Sequence, residues 1–408
     1  METGTIFLYL VCGLIPLAVV AYFLATRRTF SVKFEGEKFH STPGSYGWYA
    51  TICTLSPALL ASFVAAVLQL TGVVEVPGTA LVSTVIALAA GGLYVGVLTV
   101  KPSLRARAIV EQMVVKMLFV ASLVSILTTI GIVLSVVFEA IRFFEIVSVW
   151  DFITGTSWSP DGVSAGDSDV KGMFGSIPLF AGTFMITAIA MLVAIPIGLF
   201  AAICTAEYAS PTFRKIAKPA LEILAGIPTV VYGFFAAITV SPLVVRAAEY
   251  VGLQADFTNA LAPGLVMGVM IIPFVSSLSD DVITSVPNSL REGSLAMGAY
   301  HSETIKTVIL PAALPGIISA FLLAVSRAVG ETMIVVMAAG LRANLTWNPL
   351  EGMTTVTVRI VDALTGDQAF DSPETLSAYG LGLVLLVVTL VLNVISLVVI
   401  RRFRQQYE

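Results

Sequence analysis

The sequence has 408 residues, of which 57% are hydrophobic and only 12% carry a charge. Soluble domains carry about 25% charged residues, so this composition excludes an ordinary soluble protein and indicates a chain embedded in a bilayer. The formal net charge is −4 and no basic tract is present, which gives no indication of a nucleic-acid partner. The three cysteines and two histidines match no disulfide or metal spacing, so no metal site is predicted.

Nine apolar stretches are long enough to cross the hydrocarbon core, which requires roughly 20 residues in a helix. They lie at about 4–26, 48–71, 79–100, 117–138, 177–204, 220–241, 259–279, 313–340 and 376–400. The first stretch follows an acidic terminus and precedes Arg27 and Arg28, the reverse of a secretory signal. The sequence therefore predicts an all-α, polytopic transmembrane bundle in contact with membrane lipid, with its N-terminus outside.

The distribution of basic residues supports nine spans with the C-terminus in the cytoplasm. In that arrangement 16 of the 22 lysines and arginines fall in cytoplasmic segments and five in external loops. Because cytoplasmic loops are enriched in lysine and arginine, adding or removing one span would reverse this bias for half of the loops. The two long external loops, at about 142–176 and 341–375, are expected to be solvated caps.

A polar, basic stretch from Lys101 to Gln112 separates the first three spans from the last six. We therefore predict an N-terminal three-helix membrane module at 1–112, whose role the sequence does not assign, and a six-helix core at 113–408. Within the core, the longest cytoplasmic segment spans about 280–312. A helix start at Pro287, a break at Gly298 and a second amphipathic stretch give two short helices, which suit either docking to a soluble partner or an interfacial linker.

The same segment resembles the "EAA" signature of binding-protein-dependent ABC importer permeases. In that signature a Glu-Ala-Ala triplet is followed by a glycine and then by an apolar-x-Leu-Pro ending, and the residues here that match are Glu292, Gly293, Ser294, Gly298, Leu310 and Pro311. Glycine and serine replace the two alanines, which weakens the local helix by about 0.5–1 kcal/mol at Gly293. The resemblance implies a type I permease core whose coupling helix contacts an ATPase.

The sequence contains no phosphate-binding loop of the form G-x-x-x-x-G-K-[ST]. We therefore expect this chain to be a transport subunit and not an enzyme, with no bound cofactor of its own. ATP and Mg are expected on a separate ATPase.

Arg327 and Glu331 are ionisable residues inside the eighth predicted span. An arginine at the centre of a span costs about 2.5–3.5 kcal/mol on insertion scales, so such residues mark functional positions. Their i,i+4 spacing predicts one helix face, where they neutralise each other, with the hydroxyls of Ser326 and Thr332 beside them. Two interpretations stay open: an internal salt bridge that makes both charges tolerable, or an arginine fork on a path for oxyanions.

The run Ser326-Arg327-Ala328-Val329-Gly330-Glu331-Thr332-Met333 resembles the Arg-Ala-x-Gly-Glu-Thr motif of phosphate-specific ABC permeases, PstC type. Two further stretches, at 207–209 and 224–233, are similar to that family. The resemblance implies an inorganic phosphate path that uses Arg327 and Glu331, flanked by Ser326 and Thr332. It also implies a prokaryotic inner membrane, a second permease of the PstA type, an ATPase dimer of the PstB type and an external phosphate-binding protein of the PstS type.

Two alternative functions differ in what they require. A permease for another oxyanion, such as sulfate or molybdate, would share the coupling segment but not the Arg-Ala-x-Gly-Glu-Thr run. A channel or secondary transporter would need no ATPase partner and more often shows broken helices in paired repeats. Co-purification of an ATPase with this chain distinguishes these classes.

The topology is testable by cysteine labelling from outside the cell on a background without native cysteines. A single cysteine at Gly166, in the predicted external loop, should react with a membrane-impermeant reagent. A cysteine at Ser210, in a predicted cytoplasmic segment, should be protected until the membrane is permeabilised. Labelling in the opposite sense would contradict the nine-span topology.

Overall fold

The computed structural model describes residues 3–33, 39–70, 77–160, 172–365 and 372–404. Almost all of these residues are helical. The helices are α1 Thr3–Lys33, α2 Pro43–Leu70, α3 Gly78–Leu98, α4 Ala106–Ile146, α5 Val149–Thr154, α6 Ile177–Ile203, α7 Pro211–Ala225, α8 Thr229–Phe235, α9 Ser241–Tyr250, α10 Leu261–Ser285, α11 Asn288–Ala296, α12 His301–Thr304, α13 Leu310–Val329, α14 Met333–Ala338, α15 Val356–Thr365 and α16 Pro373–Arg404. Single π-helical turns extend α6, join α8 to α9 and join α12 to α13.

Nine helices in the described part of the chain are long and apolar enough to cross a membrane, which confirms the predicted number of spans. Three of these nine combine consecutive elements through a π turn: Ile177–Tyr208, Thr229–Tyr250 and His301–Val329. The all-α fold class is likewise confirmed. The inside-outside orientation rests on the charge distribution alone and stays a prediction.

Two predicted spans were placed wrongly along the chain. The sixth span was expected at 220–241 but runs from Thr229 to Tyr250, because Gly226 ends α7 and Pro228 precedes the next helix. The eighth span was expected at 313–340 but runs from His301 to Val329, where Gly330 caps the helix. Glycine and proline end helices through backbone freedom and a missing N–H, and a hydropathy window does not detect either effect.

The chain divides into two compact units, Met1–Ile130 and Gly131–Glu408. The predicted boundary at residue 112 lies inside α4, which is one continuous helix of 41 residues. The division into a three-helix module at 1–112 and a six-helix core at 113–408 stays a prediction. Lys38, Lys171 and Gly166, which enter the charge count and the labelling experiment, lie outside the described residues.

The first unit is a bundle of α1, α2 and α3 in which glycines bring two helices into close contact. A Cβ atom on Gly92 would overlap the carbonyl oxygen of Cys53, and one on Gly96 would lie 3.1 Å from Cα of Ala50. Gly92 and Gly96 form a small-xxx-small pattern, which lets helix backbones approach closely in a membrane. The α2–α3 contact therefore depends on these two positions.

The second unit is built around the packing of α6 against α10. A Cβ atom on Gly264 would lie 2.7 Å from Cγ2 of Ile189, and one on Gly268 would lie 2.8 Å from Cβ of Val193. Near the other end of the pair, a Cβ atom on Gly198 would lie 2.8 Å from Val275. These close approaches leave no room for relative sliding, so α6 and α10 form a single rigid pair.

Candidate functional site

Arg327 lies in the last turn of α13 with its side chain exposed in the isolated chain. Its guanidinium carbon is 5.7 Å from the centre of the Phe274 ring on α10, which is a cation–π contact. In the described part of the chain its guanidinium has no carboxylate within ion-pair distance and no hydrogen-bond acceptor. The five N–H donors of this side chain are therefore available to a ligand or to another subunit.

The prediction that Arg327 and Glu331 share one helix face is wrong, and no ion pair joins them in the described part of the chain. The helix α13 ends at Val329, so that Glu331 does not share a helical face with Arg327. One carboxylate oxygen of Glu331 instead accepts a hydrogen bond from the backbone N–H of Met333 at 3.1 Å. Glu331 therefore caps the start of α14, where unpaired amides and the helix dipole favour a negative charge.

One hydroxyl residue of the motif lies before this break and the other lies within it. Ser326 lies on α13 and its Oγ is 3.2 Å from Oδ1 of Asn393 on α16. Thr332 lies in the break itself, with its Oγ1 donating a long hydrogen bond of 3.4 Å to the carbonyl of Gly330. The structure thus places the four motif residues around the end of α13, although not on one helix face.

The stretch at 224–233, which the sequence singled out, packs against this break. A Cβ atom on Gly233 would lie 3.0 Å from the carbonyl oxygen of Met333 and 2.9 Å from the sulfur of Met337. The Tyr232 hydroxyl donates to the carbonyl of Leu224 at 2.9 Å and so closes the turn between α7 and α8. This stretch therefore holds α14 in place directly after Glu331.

A cavity of about 220 Å³ lies on the predicted cytoplasmic side of Phe274. Its wall comes from the end of α6, from α7 and from α10, and is formed by Thr205, Lys218, Leu221, Glu222, Ala225, Pro273, Phe274, Ser276, Ser277 and Asp280. Phe274 belongs both to this wall and to the contact with Arg327. A partly polar space therefore begins directly beside the ring that Arg327 covers.

Asp280, near the end of α10, is the centre of an ionic network with only 3% of its side chain exposed. It accepts from Arg214 Nη2 at 2.9 Å, from Lys218 Nζ at 3.1 Å and from Thr205 Oγ1 at 3.1 Å. Lys218 also donates to Asp281 at 2.9 Å. Hydrogen bonds to Asp281 and Asp280 raise the pKa of Lys218, so this ammonium stays charged at neutral pH.

The predicted coupling segment forms one short helix and the start of a span, instead of two short helices. The helix α11 is followed by a break in which Gly298 has a φ of +89°, a value that L side chains rarely adopt. Beyond the break the chain is helical from His301 to Val329, so that Leu310 and Pro311 lie within the eighth span. The loop therefore covers 286–300, which is shorter than the predicted 280–312.

The residues predicted to contact an ATPase differ in exposure. Glu292, Gly293 and Gly298 are exposed, and a Cβ atom on either glycine would meet nothing within 4 Å of the chain. Ser294 is half-buried, with its Oγ 2.9 Å from Oγ1 of Thr304. Leu310 and Pro311 are also half-buried, which makes them part of the bundle and not of its surface.

Sequence reasoning missed the Asp280 network and an ion pair between Glu207 and Arg291, whose nitrogen and oxygen are 2.9 Å apart. The partners lie 66 and 84 positions apart in the chain, so no spacing rule connects them. The charge count treated Arg214, Lys218 and Arg291 as markers of a cytoplasmic loop. The sequence feature that could have indicated the Asp280 network was the pair Asp280-Asp281 at the end of an otherwise apolar span.

Comparison with known families identifies the class of protein. Residues 194–406 match the family described as "Binding-protein-dependent transport system inner membrane component". The match covers more than half of the chain, and the chain therefore belongs to this family of membrane transport subunits. Residues 11–76, in the first unit, match a second family, described as "Phosphate ATP-binding cassette transporter".

Named relatives are consistent with this membership. The chain is 36% identical over 243 residues to the probable ABC transporter permease protein YqgH of Bacillus subtilis (strain 168), covering 60% of this chain and 75% of that protein. It is 33% identical over 280 residues to the phosphate transport system permease protein PstC 1 of Mycobacterium tuberculosis (strain ATCC 25618 / H37Rv), covering 62% of this chain and 81% of that protein. The predicted family is confirmed.

One of the solved structures that the chain matches is the bacterial alginate ABC transporter in complex with an alginate pentasaccharide-bound periplasmic protein. The chain is 15% identical to that structure, with a TM-score of 0.49, and the alignment covers 73% of this chain and 98% of that chain.

The Asp280 network predicts a measurable stability difference between two neighbouring carboxylates. Asp280→Asn removes a buried charge that three donors share, and should lower the free energy of unfolding by about 1–3 kcal/mol, the range for charge-assisted hydrogen bonds. Asp281→Asn is the matched control, because that side chain is 63% exposed and surface pairs contribute about 0–1 kcal/mol. The measurement is the unfolding temperature of the purified protein in detergent.

The pH dependence of this network has a defined sign. The pKa of Lys218 is raised above its ordinary value of 10.5, so its stabilising effect is fully present below that pH and is lost only as the pH rises through the folded-state pKa. The difference between the two variants should therefore be constant around neutral pH. Equal unfolding temperatures for both variants would contradict a structural role for the network.

Proposed function

We propose that this chain is the permease subunit of an ATP-driven importer and forms the translocation path for inorganic phosphate. The proposal is carried by Arg327, an exposed guanidinium that has no acceptor among the described residues and lies in a span of a chain whose family transports solutes across membranes. The match of residues 11–76 to a phosphate transporter family and the similarity to PstC 1 support phosphate over sulfate or molybdate.

Arg327 acts as the group that meets the anion during its passage. Its planar donor fork matches the oxygen geometry of phosphate, and its charge offsets part of the cost of bringing an anion to membrane depth. The Phe274 ring holds one face of the guanidinium and leaves the edge donors free. Because no acceptor in the described chain competes for these donors, the anion does not have to displace one.

The remaining motif residues shape the space around Arg327. Glu331 holds the start of α14 through its backbone contact, and thereby fixes where the chain turns after Arg327. The hydroxyls of Ser326 and Thr332 donate to Asn393 and to the carbonyl of Gly330, and so help to fix the chain before and within the break.

The importer requires further subunits that this chain does not contain. We assign the second half of the path to a homologous permease of the PstA type, and ATP with Mg to an ATPase dimer of the PstB type. An external phosphate-binding protein of the PstS type delivers the anion to the assembly in a prokaryotic inner membrane. The surface offered to the ATPase is α11 with the following break, where Met297 is 89% exposed and Tyr300 is 77% exposed.

The role of Arg327 is tested by phosphate uptake normalised to the amount of membrane-inserted protein. Arg327→Leu should insert normally, because it strands no buried partner, and should lower uptake about tenfold or more through the loss of charge-assisted hydrogen bonds. Arg327→Lys should also be impaired, since an ammonium lacks the fork. Arg342→Leu is the matched control, since Arg342 is an exposed arginine outside the spans.

Full uptake by Arg327→Leu would remove Arg327 from the path. Inhibition of phosphate uptake by sulfate or molybdate, with uptake of the competing ion, would instead favour a permease for another oxyanion. Uptake that continues without ATP would favour a channel or secondary transporter.

The coupling role of Gly298 is tested by a substitution that alters only backbone conformation. Gly298→Val introduces no clash, but a branched residue at a φ of +89° costs about 1–3 kcal/mol and should distort the break that follows α11. We expect ATP hydrolysis to continue while phosphate transport falls. Gly252→Val is the matched control, because Gly252 has a φ of +79°, has nothing within 4 Å of its Cβ position and lies in a predicted external loop.

A further inference from the structure

Arg291 connects the predicted coupling helix α11 to two spans at once. Its Nη2 donates to Oε1 of Glu207 at 2.9 Å and to the carbonyl of Ile283 at 2.8 Å. Its Nε donates to the same Glu207 oxygen at 3.2 Å, and its Nη1 donates to the carbonyl of Val286. Glu207 lies in the π turn that ends the fifth span, and Ile283 lies near the end of α10.

Burial makes this pair unusual for a predicted cytoplasmic face. Only 5% of the Glu207 side chain and 18% of the Arg291 side chain are exposed. A buried ion pair contributes little to stability compared with apolar residues of the same volume, because both charges lose their water. The hydrogen bonds of this guanidinium are nevertheless charge-assisted and specific in geometry. One guanidinium donates to two carbonyls at the end of α10 and to the carboxylate at the end of the fifth span.

The spans that Arg291 reaches are the rigid pair α6 and α10. Close contacts at Gly198, Gly264 and Gly268 prevent these helices from sliding against each other. A displacement applied at Ile283 is therefore passed along the part of α10 that follows Pro273, which includes Phe274. Phe274 lies nine residues before Ile283, about 13 Å along the helix, and its ring is the one beneath Arg327.

The helix α11 also packs against α12 and the π turn after it, at the start of the span that carries Arg327. The polar contact there joins the hydroxyls of Ser294 and Thr304 at 2.9 Å, and neither group is charged. Outside α11, Tyr208 and His301 also touch, with ring centres 5.3 Å apart, but both side chains are exposed. The helix α13 also packs closely on α10, since a Cβ atom on Gly316 would overlap Cγ1 of Val282. The contact of α11 that involves charged groups therefore goes to the end of the fifth span and to α10.

We propose that Arg291 is a positioning residue that transmits displacement of α11 to the ends of the fifth span and of α10, and through α10 to Phe274, whose ring lies against Arg327. This inference rests on the proposed function, because the displacement is supplied by the ATPase and the affected group is the anion-binding arginine. The clamp is defined as the contacts of Arg291 with Glu207 and with the carbonyls at the end of α10. Loss of the clamp leaves ATP hydrolysis in place and uncouples it from the anion site. Arg291 itself touches neither the anion nor ATP.

The test uses vesicles containing the full importer, in which ATP hydrolysis and phosphate uptake are measured on the same sample. The variant combines Arg291→Met with Glu207→Met, so that no buried charge is left unpaired and the chain still folds. We expect near-normal ATP hydrolysis and a fall in phosphate transported per ATP of about fivefold or more, the lower end of coupling effects between distant sites. Glu207→Gln keeps the acceptor oxygen and should retain most of the transport.

The matched control is the exposed ion pair between Arg107 and Glu111 on α4, whose side chains are 75% and 63% exposed. Arg107→Met with Glu111→Met removes the same chemical groups outside the clamp and should leave the ratio unchanged. A wild-type ratio in the Arg291 and Glu207 double variant would overturn the inference. If the wild-type importer shows neither ATP-dependent uptake nor hydrolysis, the proposed function itself fails.

A double-mutant cycle separates positioning from general stabilisation. Phe274→Leu removes the ring from Arg327, and the clamp variant should then produce little further loss of transport per ATP. Additive losses would show that Arg291 acts independently of Phe274, because independent sites add and coupled sites do not. That result would also overturn the inference.

Discussion

The close packing of α6 against α10 is the contact on which the second unit depends. It requires glycine at three positions, since any side chain at Gly198, Gly264 or Gly268 would overlap its neighbour. In a bilayer, where lipid is as apolar as leucine, helices associate through such close van der Waals contact and not through exclusion of water. The resulting pair is a stiff element that runs through most of the span length. One of the two helices of this pair, α10, carries residues that contact Arg327, the cations of α7 and Arg291.

These three contacts lie along the last dozen residues of α10. Phe274 lies beneath the guanidinium of Arg327, Asp280 holds the cations of α7, and the carbonyl of Ile283 receives Arg291. The same helix therefore contacts Arg327, forms part of the wall of the adjoining cavity and contacts α11. This succession provides a short physical route between the surface proposed for the ATPase and the site proposed for phosphate. It depends on α10 being unbroken from Phe274 to Ile283.

Much of the architecture follows from local sequence properties. The lengths of the apolar stretches predicted the nine spans. A gapped signature singled out Gly298, and its φ of +89° explains why a glycine stands there. The errors in span position occurred where the apolar sequence continues past the end of a helix. The eighth span ends at Val329 although the following residues are apolar, because Gly330 and the capping contact of Glu331 start a new helix. Arg327 and Glu331 are four positions apart in the sequence, but the helix ends between them, so they do not share a helix face.

The sequence by itself determined the class of the protein, the number of spans and the residues of the phosphate-permease motif. Only the tertiary structure decided which charges meet. Arg327 and Glu331 are close in sequence and do not pair, whereas Glu207 with Arg291, and Asp280 with Arg214, are far apart and do. The physical reason is that ion pairing depends on where helix ends are brought together, and those positions are set by the packing of α6, α7 and α10. Spacing along one chain carries no information about contacts between helices.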